Sequence, residues 1–451
     1  MKIHFLGGAG TVTGSKTLIE TNNVSILIDC GLFQGLKELR ELNRMSLPYA
    51  PKDIDFVILT HGHLDHCGWL PKLVQEGFSG KIFCTAPTKE ITKLILLDSA
   101  KIQEEEAEKA NREHYSKHNP ALPLYTVEEA QQVFPLLRVV DKDIAVVLSD
   151  EVSFSFFYAS HILGACSISL EVEDKTLVFS GDIGQDDDVL LFPTVKPTKA
   201  DYVFLESTYG NRIHPKNNSM FDLELIINNT YNRGGNLVIP SFAVERVQTL
   251  MFLIWQLKNQ GKIPDMPYII DTPMGIDVLQ LFLDNRKWHK LNFEECKEMC
   301  ETFTLISEYK DTIEAIYDKQ PKVVIAASGM ITGGRVLSYL ERYIGKPENT
   351  VALVGYQAEG TRGRKLLEGD KTIKIYGQIY PVEATILLVE GLSAHGDQSD
   401  LINWLSELEA KPKKIFLVHG ENEASEALSI KILDELAIEC FIPKRGQVIE
   451  I

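Results

Sequence analysis

The chain has 451 residues, 44% of them hydrophobic and 24% charged, a balance typical of globular proteins, and its length suggests about two or three domains. The formal net charge of −17 argues against a protein that coats nucleic acid non-specifically, although a locally positive cleft stays compatible with it. No apolar run approaches the roughly 20 residues that span a membrane, and the N-terminus lacks a signal-peptide core. With seven scattered cysteines, we expect a reduced, cytoplasmic protein.

The predicted elements change in rhythm along the chain. Short β-type runs such as Val152–Tyr158 dominate roughly the first two hundred residues. Residues 88–139 are helical in pattern and strongly charged, so we expect a helical insertion over one edge of the sheets. From about 209, helix-like segments alternate with strands such as Val323–Ala326, which indicates a parallel sheet covered on both faces. A last strand–helix alternation runs from 391 to the end, and the fold class is therefore α/β.

One short motif concentrates metal-binding side chains. His61, His63, Asp65 and His66 follow the apolar run 56–59, at a strand end where α/β proteins place their sites. On a turn, His61 and His63 can point at one metal while Asp65 and His66 point at a second. Imidazole nitrogen and carboxylate oxygen are ligands that zinc takes. A polar loop that happens to hold three histidines is the alternative reading, and the density of ligands favours a metal site.

Three more candidate ligands also follow apolar runs. His161 comes after the strand that ends at Tyr158, Asp182 follows the run 176–179, and His419 follows another apolar run. Each position alone is typical of a polar turn residue, but their coincidence with the first cluster predicts a dinuclear centre. His61, His63 and His161 would hold one metal, and Asp65, His66 and His419 the other, with Asp182 as the bridge. Ligand type favours two zinc ions, while manganese or iron could also occupy such a site.

This ligand series resembles that of the metallo-β-lactamase superfamily. The resemblance implies an αββα sandwich with the dinuclear site on one edge. Asp29, which closes the run 26–28, matches the first motif of that superfamily. The resemblance implies that Asp29 supports the ligand loop without binding metal, a role with a physical basis in orienting histidines. A buried, hydrogen-bonded aspartate at a strand end is the plainer alternative.

The motifs beyond Asp182 resemble those of the β-CASP nucleases. Residues 204–210, with Glu206, resemble motif A of that family, 391–397, with His395, resemble motif B, and 417–421, with His419, resemble motif C. The resemblance implies three segments: a metallo-β-lactamase domain over 1–208, an inserted β-CASP α/β cap over 209–385, and a return to the first domain over 386–451. Histidine in motif C is the pattern associated with RNA-directed members. The likeness extends to compact bacterial and archaeal members and to the endonuclease subunit of the eukaryotic pre-mRNA 3′-end processing machinery.

The implied function is a zinc-dependent endoribonuclease of RNA processing or decay. A hydroxide held by two metals would attack single-stranded RNA and leave a 5′-phosphate and a 3′-hydroxyl. His395 would supply a proton to the departing oxygen, with Glu206 holding its imidazole. An N-terminal KH module and the C-terminal extension of ribonuclease J are not found, which favours an endonuclease. The alternatives are a 5′–3′ exoribonuclease, a small-molecule hydrolase of a lactam or thioester, and a non-catalytic scaffold.

The segment between motifs A and B offers candidates for holding RNA. Ser328 and Gly329 lie in a glycine-rich turn before a predicted helix, where backbone N–H groups can approach a phosphate. Thr361 and Arg362 lie in a small cationic loop that resembles the family's GT motif. Arg246 could also reach the RNA, and a solvated helix arginine is its alternative. Likeness to relatives also makes a homodimer plausible.

Overall fold

The computed structural model describes residues 1–114, 118–215, 219–242, 244–389 and 391–451. The chain divides into two compact units, which we call the first unit (Met1–Ile213 with His395–Ile451) and the second unit (His214–Ala394). The domain limits expected from sequence, 208/209 and 385/386, stay a prediction of where the inserted domain begins and ends.

The first unit starts with a series of strands and short helices. The strands before the second unit are β1 (Lys2–Gly7), β2 (Lys16–Glu20), β3 (Ser25–Ile28), β4 (Phe56–Ile58), β5 (Lys81–Cys84), β6 (Leu137–Val139), β7 (Val146–Ser149), β8 (Val152–Tyr158), β9 (Cys166–Val172), β10 (Lys175–Phe179) and β11 (Tyr202–Glu206). The helices are α1 (Lys37–Leu42), α2 (Leu64–Cys67), α3 (Leu70–Gln75), α4 (Ala86–Glu113) and α5 (Val127–Gln131), with 3₁₀ turns at Pro51–Asp53 and Phe134–Leu136.

The second unit alternates strands and helices. Its strands are β12 (Leu237–Pro240), β13 (Tyr268–Asp271), β14 (Thr304–Ile306), β15 (Val323–Ala326), β16 (Thr350–Val354), β17 (Thr372–Ile375), β18 (Gln378–Pro381) and β19 (Thr385–Val389). Its helices are α6 (Ser219–Asn232), α7 (Arg246–Asn259), α8 (Pro273–Asp284), α9 (Phe293–Glu301), α10 (Tyr309–Tyr317), α11 (Val336–Tyr343) and α12 (Arg362–Leu367), with a 3₁₀ turn at Arg286–Trp288. The main sheet is parallel in the order β14-β13-β15-β12-β16-β19. Every residue of β12, β13, β15 and β16 is buried, as the predicted sheet with both faces covered requires.

The chain then returns to the first unit and completes both of its sheets. The returning elements are α13 (Gln398–Trp404), β20 (Lys414–Val418), α14 (Asn422–Leu436), β21 (Cys440–Phe441) and β22 (Val448–Glu450). One sheet has the order β22-β1-β2-β3-β4-β5-β6 and the other β21-β20-β11-β10-β9-β8-β7. The last segment therefore adds one strand to the first of these sheets and two to the second, although the second unit separates it in sequence from the other strands.

The first unit has four layers. Aromatic side chains fill the space between the two sheets: the ring centroids of Phe5 and Phe416 lie 5.5 Å apart, and those of Phe83 and Phe154 lie 5.3 Å apart. The outer face of the first sheet packs against α3, α4 and α5, and the outer face of the second packs against α13 and α14. This order of helix, sheet, sheet and helix is the αββα sandwich expected from the sequence.

The expected helical insertion over 88–139 is helical only in part. Helix α4 begins at Ala86, and α5 follows it, but residues 137–139 form β6, which pairs in parallel with β5 at the edge of the first sheet. Leu137 is buried there, so packing against the sheet decides the conformation of this short segment. Residues 115–117 of the insertion lie outside the described residues.

Candidate metal centre and active site

The candidate site residues of the first unit lie at one end of its strands. Asp29 follows β3, His161 lies three residues after the end of β8, and Asp182 lies three residues after the end of β10. Glu206 is the last residue of β11, and His419 follows β20 directly. Because β10, β11 and β20 are parallel, their carboxyl ends meet at one edge of the sheet. The sheet pairing thus brings together residues that are distant in sequence.

Four side chains form the first group of possible ligands. The Nδ1 atom of His63 lies 3.1 Å from Nε2 of His61 and 3.1 Å from Nε2 of His161. Oδ2 of Asp182 lies 3.6 Å from Nε2 of His61 and 3.4 Å from Nε2 of His161. These are the residues that the sequence placed around one metal, with the proposed bridge beside them.

A second group lies on the other side of Asp182. Nε2 of His66 lies 3.1 Å from Nε2 of His419, which in turn lies 3.5 Å from Oδ2 of Asp65. Oδ1 of Asp182 lies 3.3 Å from Nε2 of His66 and 3.3 Å from Nδ1 of His419. The two carboxylate oxygens of Asp182 therefore face different groups, which is the geometry that a bridging ligand needs. Asp65 and His66 belong to the short helix α2, where the sequence suggested a turn.

The donor atoms fit divalent metal ions. Tetrahedral ligands at about 2.0–2.1 Å from a zinc ion lie about 3.3 Å from one another, close to the spacings of 3.1–3.6 Å found here. Unprotonated imidazole nitrogens at this distance repel each other unless a proton or a cation lies between them. His61, His66, His161 and Asp182 are buried, so solvent does little to screen that repulsion. The site therefore has a donor set that can bind metal ions.

The pKa values of His61, His63 and Asp182 suit metal binding, whereas that of His66 favours the protonated ring. Burial lowers the pKa of His61 well below its ordinary value and that of His63 to about 4, so both are neutral, the form that coordinates a metal. Burial also disfavours protonated His66, but the carboxylates of Asp182 and Asp29 outweigh it and raise the pKa of His66. Burial disfavours the charged form of Asp182, but the surrounding imidazoles, His419 and His66 first, hold its pKa well below the usual value.

Asp29 and Thr60 support the histidines from behind. Oδ2 of Asp29 lies 2.8 Å from Nδ1 of His66, and Oδ1 accepts a hydrogen bond from the backbone N–H of Thr60. The Thr60 hydroxyl donates to Asp29 and lies 3.0 Å from Nδ1 of His61. Asp29 thus fixes the ring of His66, the kind of contact that orients metal-binding histidines.

His395 and Glu206 form a pair beside the possible metal ligands. Nδ1 of His395 lies 3.1 Å from Oε2 of Glu206, and its Nε2 lies 3.8 Å from Oδ2 of Asp182. Glu206 is fully buried, and its Oε1 accepts a hydrogen bond from the N–H of Ile183. Burial lowers the pKa of His395, but the Glu206 and Asp182 carboxylates outweigh it and raise this pKa to about 9. The two carboxylates thus favour the protonated form of the His395 ring.

Three site residues have backbone angles that side chains rarely adopt. The φ values of Asp29, His161 and His419 are 58°, 32° and 48°. Aspartate tolerates this left-handed region better than most residues, but for histidine it is uncommon. Such angles persist where the surroundings fix them, and they concentrate at functional sites.

The structure also shows two supporting residues that were not expected from the sequence. The Thr60 hydroxyl lies between the Asp29 carboxylate and the His61 ring. The hydroxyl of Thr208 lies 3.2 Å from Nδ1 of His419 and 3.1 Å from the His419 carbonyl oxygen, and it is buried. Thr60 directly precedes His61, and Thr208 lies two residues after Glu206, so their position next to candidate site residues was the available signal.

The candidate RNA-binding residues all belong to the second unit. The Ser328 hydroxyl accepts hydrogen bonds from the N–H groups of Thr332 and Gly333, and Gly329 packs against the Phe242 ring. Thr361 is buried and caps α12. Arg246 is also buried and lies 3.3 Å from the Glu245 carboxylate, so it is not a solvated helix arginine. A role for these residues in RNA binding stays a prediction.

Three family models match the chain along most of its length. The metallo-beta-lactamase superfamily model matches residues 9–214, the Beta-Casp domain model matches 247–366, and the model of a Zn-dependent metallo-hydrolase RNA specificity domain matches 379–443. These matches agree with the αββα architecture and with the order of motifs in the sequence.

Several known proteins are similar over nearly the whole chain. "Ribonuclease TTHA0252" of Thermus thermophilus is 33% identical over 436 residues, which are 95% of this chain and 95% of that protein. An "RNase J-like protein" of Methanocaldococcus jannaschii is 31% identical over 100% of this chain and 99% of its own length. "Transcription termination factor FttA" of Methanosarcina mazei is 30% identical over 97% of this chain and 70% of its own length.

A solved structure shares the fold. A protein of unknown function from Enterococcus faecalis V583 aligns with a TM-score of 0.54 and 13% identity, over 99% of each chain. Among the described residues, no helix is long and apolar enough to cross a membrane. Its domain matches and its relatives show that the chain belongs to the metallo-β-lactamase superfamily and, within it, to the β-CASP family of RNA-processing nucleases.

Proposed function

We propose that this chain is a two-zinc endoribonuclease that cuts single-stranded RNA and leaves a 5′-phosphate and a 3′-hydroxyl. The observation that carries the proposal is the position of His395. Its Nε2 lies 3.8 Å from the proposed bridging carboxylate of Asp182, and Glu206 holds its Nδ1. A proton donor thus stands beside a donor set that can bind metal ions, as phosphodiester hydrolysis with an alkoxide leaving group requires.

We propose that the two donor groups each hold a zinc ion. His61, His63 and His161 form one site, Asp65, His66 and His419 form the other, and Asp182 is shared. Imidazole-rich ligands favour zinc, although manganese and iron accept the same donors. When bound, such a metal pair supplies a water of lowered pKa and positive charge beside the phosphoryl oxygens.

The protein groups then have separate tasks. Glu206 accepts the Nδ1 hydrogen of His395 and so leaves the Nε2 proton on the side of Asp182. That proton passes to the 3′ oxygen as the phosphorus–oxygen bond breaks. Asp29 and Thr60 keep the rings of His66 and His61 in place. Of these groups, His395 acts on the phosphodiester itself and needs no chain end, which supports cleavage at internal positions.

We further propose that the second unit contributes the RNA contacts. The candidates from the sequence are Ser328, Gly329, Thr361, Arg362 and Arg246. The small-molecule alternative, a lactam or thioester hydrolase, shares the metal ligands but has no need of the Glu206–His395 pair.

A homodimer, proposed from likeness to relatives, would give twice the chain mass in size-exclusion chromatography with light scattering.

The first test is cleavage of single-stranded RNA labelled at either the 5′ or the 3′ end, with matched DNA, by the zinc-loaded full chain. Internal RNA cuts that disappear with a chelator and in Asp182→Asn would support the proposal. Products that shorten stepwise from the 5′ end would instead show an exoribonuclease. If protein containing two zinc ions per chain cuts neither polymer, the small-molecule hydrolase becomes the better account.

A further inference from the structure

The loop that carries His161 is buried and has an unusual backbone. We call residues 159–165, between β8 and β9, the 159–165 loop. Ser160 and His161 have φ values of 65° and 32°, and both side chains are buried. Two successive non-glycine residues in this region are uncommon, and such backbone persists only where neighbouring groups fix it. The direction of the His161 ring therefore depends on what holds the loop.

The two ends of the loop are bonded to neighbouring backbone. The N–H of Gly184 donates to the carbonyl oxygen of Ala159 at 2.9 Å, next to the start of the loop. The N–H of Cys166, directly after the loop, donates to the carbonyl oxygen of Thr60 at 3.0 Å. These bonds fix where the loop begins and ends, and the turn over 162–165 forms its tip.

Two threonines at the start of α4 hold that tip. The hydroxyls of Thr85 and Thr88 donate to the carbonyl oxygen of Gly164 at 2.7 and 2.9 Å. Both threonines and Gly164 are buried. A carbonyl oxygen has two lone pairs, so the two hydroxyls satisfy it, and loss of either donor would leave a buried acceptor partly unsatisfied. The N-terminal end of α4 therefore fixes the tip of the 159–165 loop.

The tip also packs directly against the backbone of α4. Gly164 has a φ of 84°, and a Cβ atom added there would lie 2.7 Å from Cβ of Pro87 and 2.8 Å from the backbone nitrogen of Thr88. Real Cβ atoms do not approach other atoms so closely, so a side chain at this position would displace the loop. The contact with the two hydroxyls thus depends on a close fit between loop and helix.

The same end of α4 packs against the segment that carries His61 and His63. Gly62 lies between these two histidines in the chain, and a Cβ atom added to it would lie 2.7 Å from Cγ2 of Ile91 in α4. The N-terminal end of α4 therefore contacts both segments that supply histidines to the first group of possible ligands. It can hold those histidines in a fixed relation to one another without providing a ligand itself.

We propose that Thr85 and Thr88 are positioning residues for the metal of the first group. They hold Gly164 so that Nε2 of His161 stays beside Nδ1 of His63, at 3.1 Å, and their own hydroxyls do not bind the metal. This inference rests on the proposed function, because it takes a zinc ion as the ligand of the first group. The ligands of the second group lie outside the 159–165 loop, so their affinity for zinc should not depend on the two hydroxyls.

The test compares the zinc affinity of Thr88→Val with that of Ser99→Ala. Valine has nearly the shape of threonine and lacks the hydroxyl, whereas Ser99→Ala removes a buried hydroxyl of the same helix that accepts a hydrogen bond from Tyr125 at 2.9 Å. Competition with a chromophoric chelator gives the dissociation constant of each zinc ion on the full chain. We expect Thr88→Val to raise one of these constants about tenfold, as loss of contacts that orient metal ligands does. Thr88→Ser, which restores the donor, should return it to the wild-type value, and Ser99→Ala should leave both constants unchanged.

A double-mutant cycle assigns the effect to one of the two groups. In His161→Ala the zinc ion that remains is that of the second group, and adding Thr88→Val should leave its dissociation constant unchanged. In His419→Ala the remaining zinc ion is that of the first group, and adding Thr88→Val should raise its dissociation constant about tenfold. A residue that only stabilises the fold would weaken zinc binding equally in both backgrounds. Equal increases would therefore overturn the proposal.

An unchanged zinc affinity in Thr88→Val would also refute the positioning role. If Thr88→Val does not fold, Thr88→Ala removes the same hydroxyl with a residue of higher helix propensity and takes its place in each comparison. A wild-type chain that binds two zinc ions but cuts no RNA would refute the proposed function, while the dissociation constants still decide the role of Thr88. Normal RNA cutting by the wild type, with unchanged zinc affinity in the variants, would refute the role of the threonines alone.

Discussion

At the scale of single residues, the proposed role of His395 distinguishes RNA cleavage from generic metal-dependent hydrolysis. Its ring lies against Glu206 and beside Asp182, so it can deliver a proton to a leaving oxygen without being part of either donor group. An alkoxide leaving group needs that proton, whereas a nitrophenolate leaves without it. The requirement for His395 therefore depends on the leaving group.

We predict that His395→Ala lowers kcat for RNA cleavage by about 10²- to 10⁴-fold, the usual contribution of a general acid. The same variant should hydrolyse bis(4-nitrophenyl) phosphate at a rate near that of the wild type. Single-turnover kinetics with both substrates and a metal analysis of each preparation are the measurements. Equal loss with both substrates, at an unchanged metal content, would contradict the assigned proton transfer.

Residue types in the sequence indicated the candidate ligands because metal coordination demands particular side chains in any fold. The structure brings all seven of these side chains into two adjacent groups that share Asp182. The sequence did not single out Thr60 and Thr208, since a threonine that bonds to an imidazole looks like any other threonine until the ring is in place. The Arg362 side chain donates to the carbonyl oxygens of residues 331, 332 and 374, and these contacts could not be predicted either, because the oxygens come from two other segments.

At the scale of elements, the first turn of α13 contains a carboxyl group, that of Asp400, whose ionisation is disfavoured in the folded state. Asp397 caps the helix, and Asp400 completes a capping box by accepting the Asp397 N–H at 3.0 Å. Burial and the neighbouring Asp397, Asp186 and Asp187 raise the pKa of Asp400 to about 6. The folded state therefore holds this proton more tightly than the unfolded chain does.

The stability of the first unit should respond to pH through this residue. Between about pH 4 and 6 the unfolded state loses the Asp400 proton before the folded state does, so this group decreases stability as pH rises. Asp400→Asn keeps an acceptor for the cap and removes the charge. We expect it to increase the free energy of unfolding by about 1 kcal/mol above pH 6, a value reduced for partial solvent exposure, and to have no effect below pH 4.

Urea unfolding of the wild type and of Asp400→Asn at several pH values, with a chelator throughout, measures the difference in the free energy of unfolding. A gain of the same size at low and neutral pH would point to helix propensity as its cause.

The periodicity of the sequence predicted a final strand–helix alternation, but the acidic neighbours of Asp400 at 186 and 187 come from another segment of the first unit and are brought near it by folding.

At the scale of the whole molecule, the metal centre joins distant parts of the chain. Six of the proposed ligands precede the second unit, and His419 follows it, yet all lie in the first unit. A ligand that binds only the folded state stabilises it by about 4 kcal/mol at a concentration of 1,000 times Kd. Metal binding should therefore stabilise the first unit, including the packing of its C-terminal segment, which carries His419.

We predict that chelation lowers the melting temperature of the first unit and leaves that of the second unit unchanged. Differential scanning calorimetry with excess zinc and with chelator measures both transitions. His419→Ala should show a smaller response to zinc than the wild type, since it loses a ligand of one group. An identical thermogram with and without metal, for protein shown to bind it, would refute this coupling.

The sequence by itself determined the α/β class and the candidate ligands, and the resemblance of its motifs to known ones indicated the sandwich architecture and the family. Buried parallel strands require continuous apolar runs, and metals require specific donors, so both leave local signals in the chain. Only the tertiary structure decided how these parts meet: β6 became an edge strand, Asp182 came to face both donor groups, and Arg362 came to donate to backbone oxygens of two other segments. Each of these outcomes depends on contacts between segments far apart in sequence, for which local composition carries no signal.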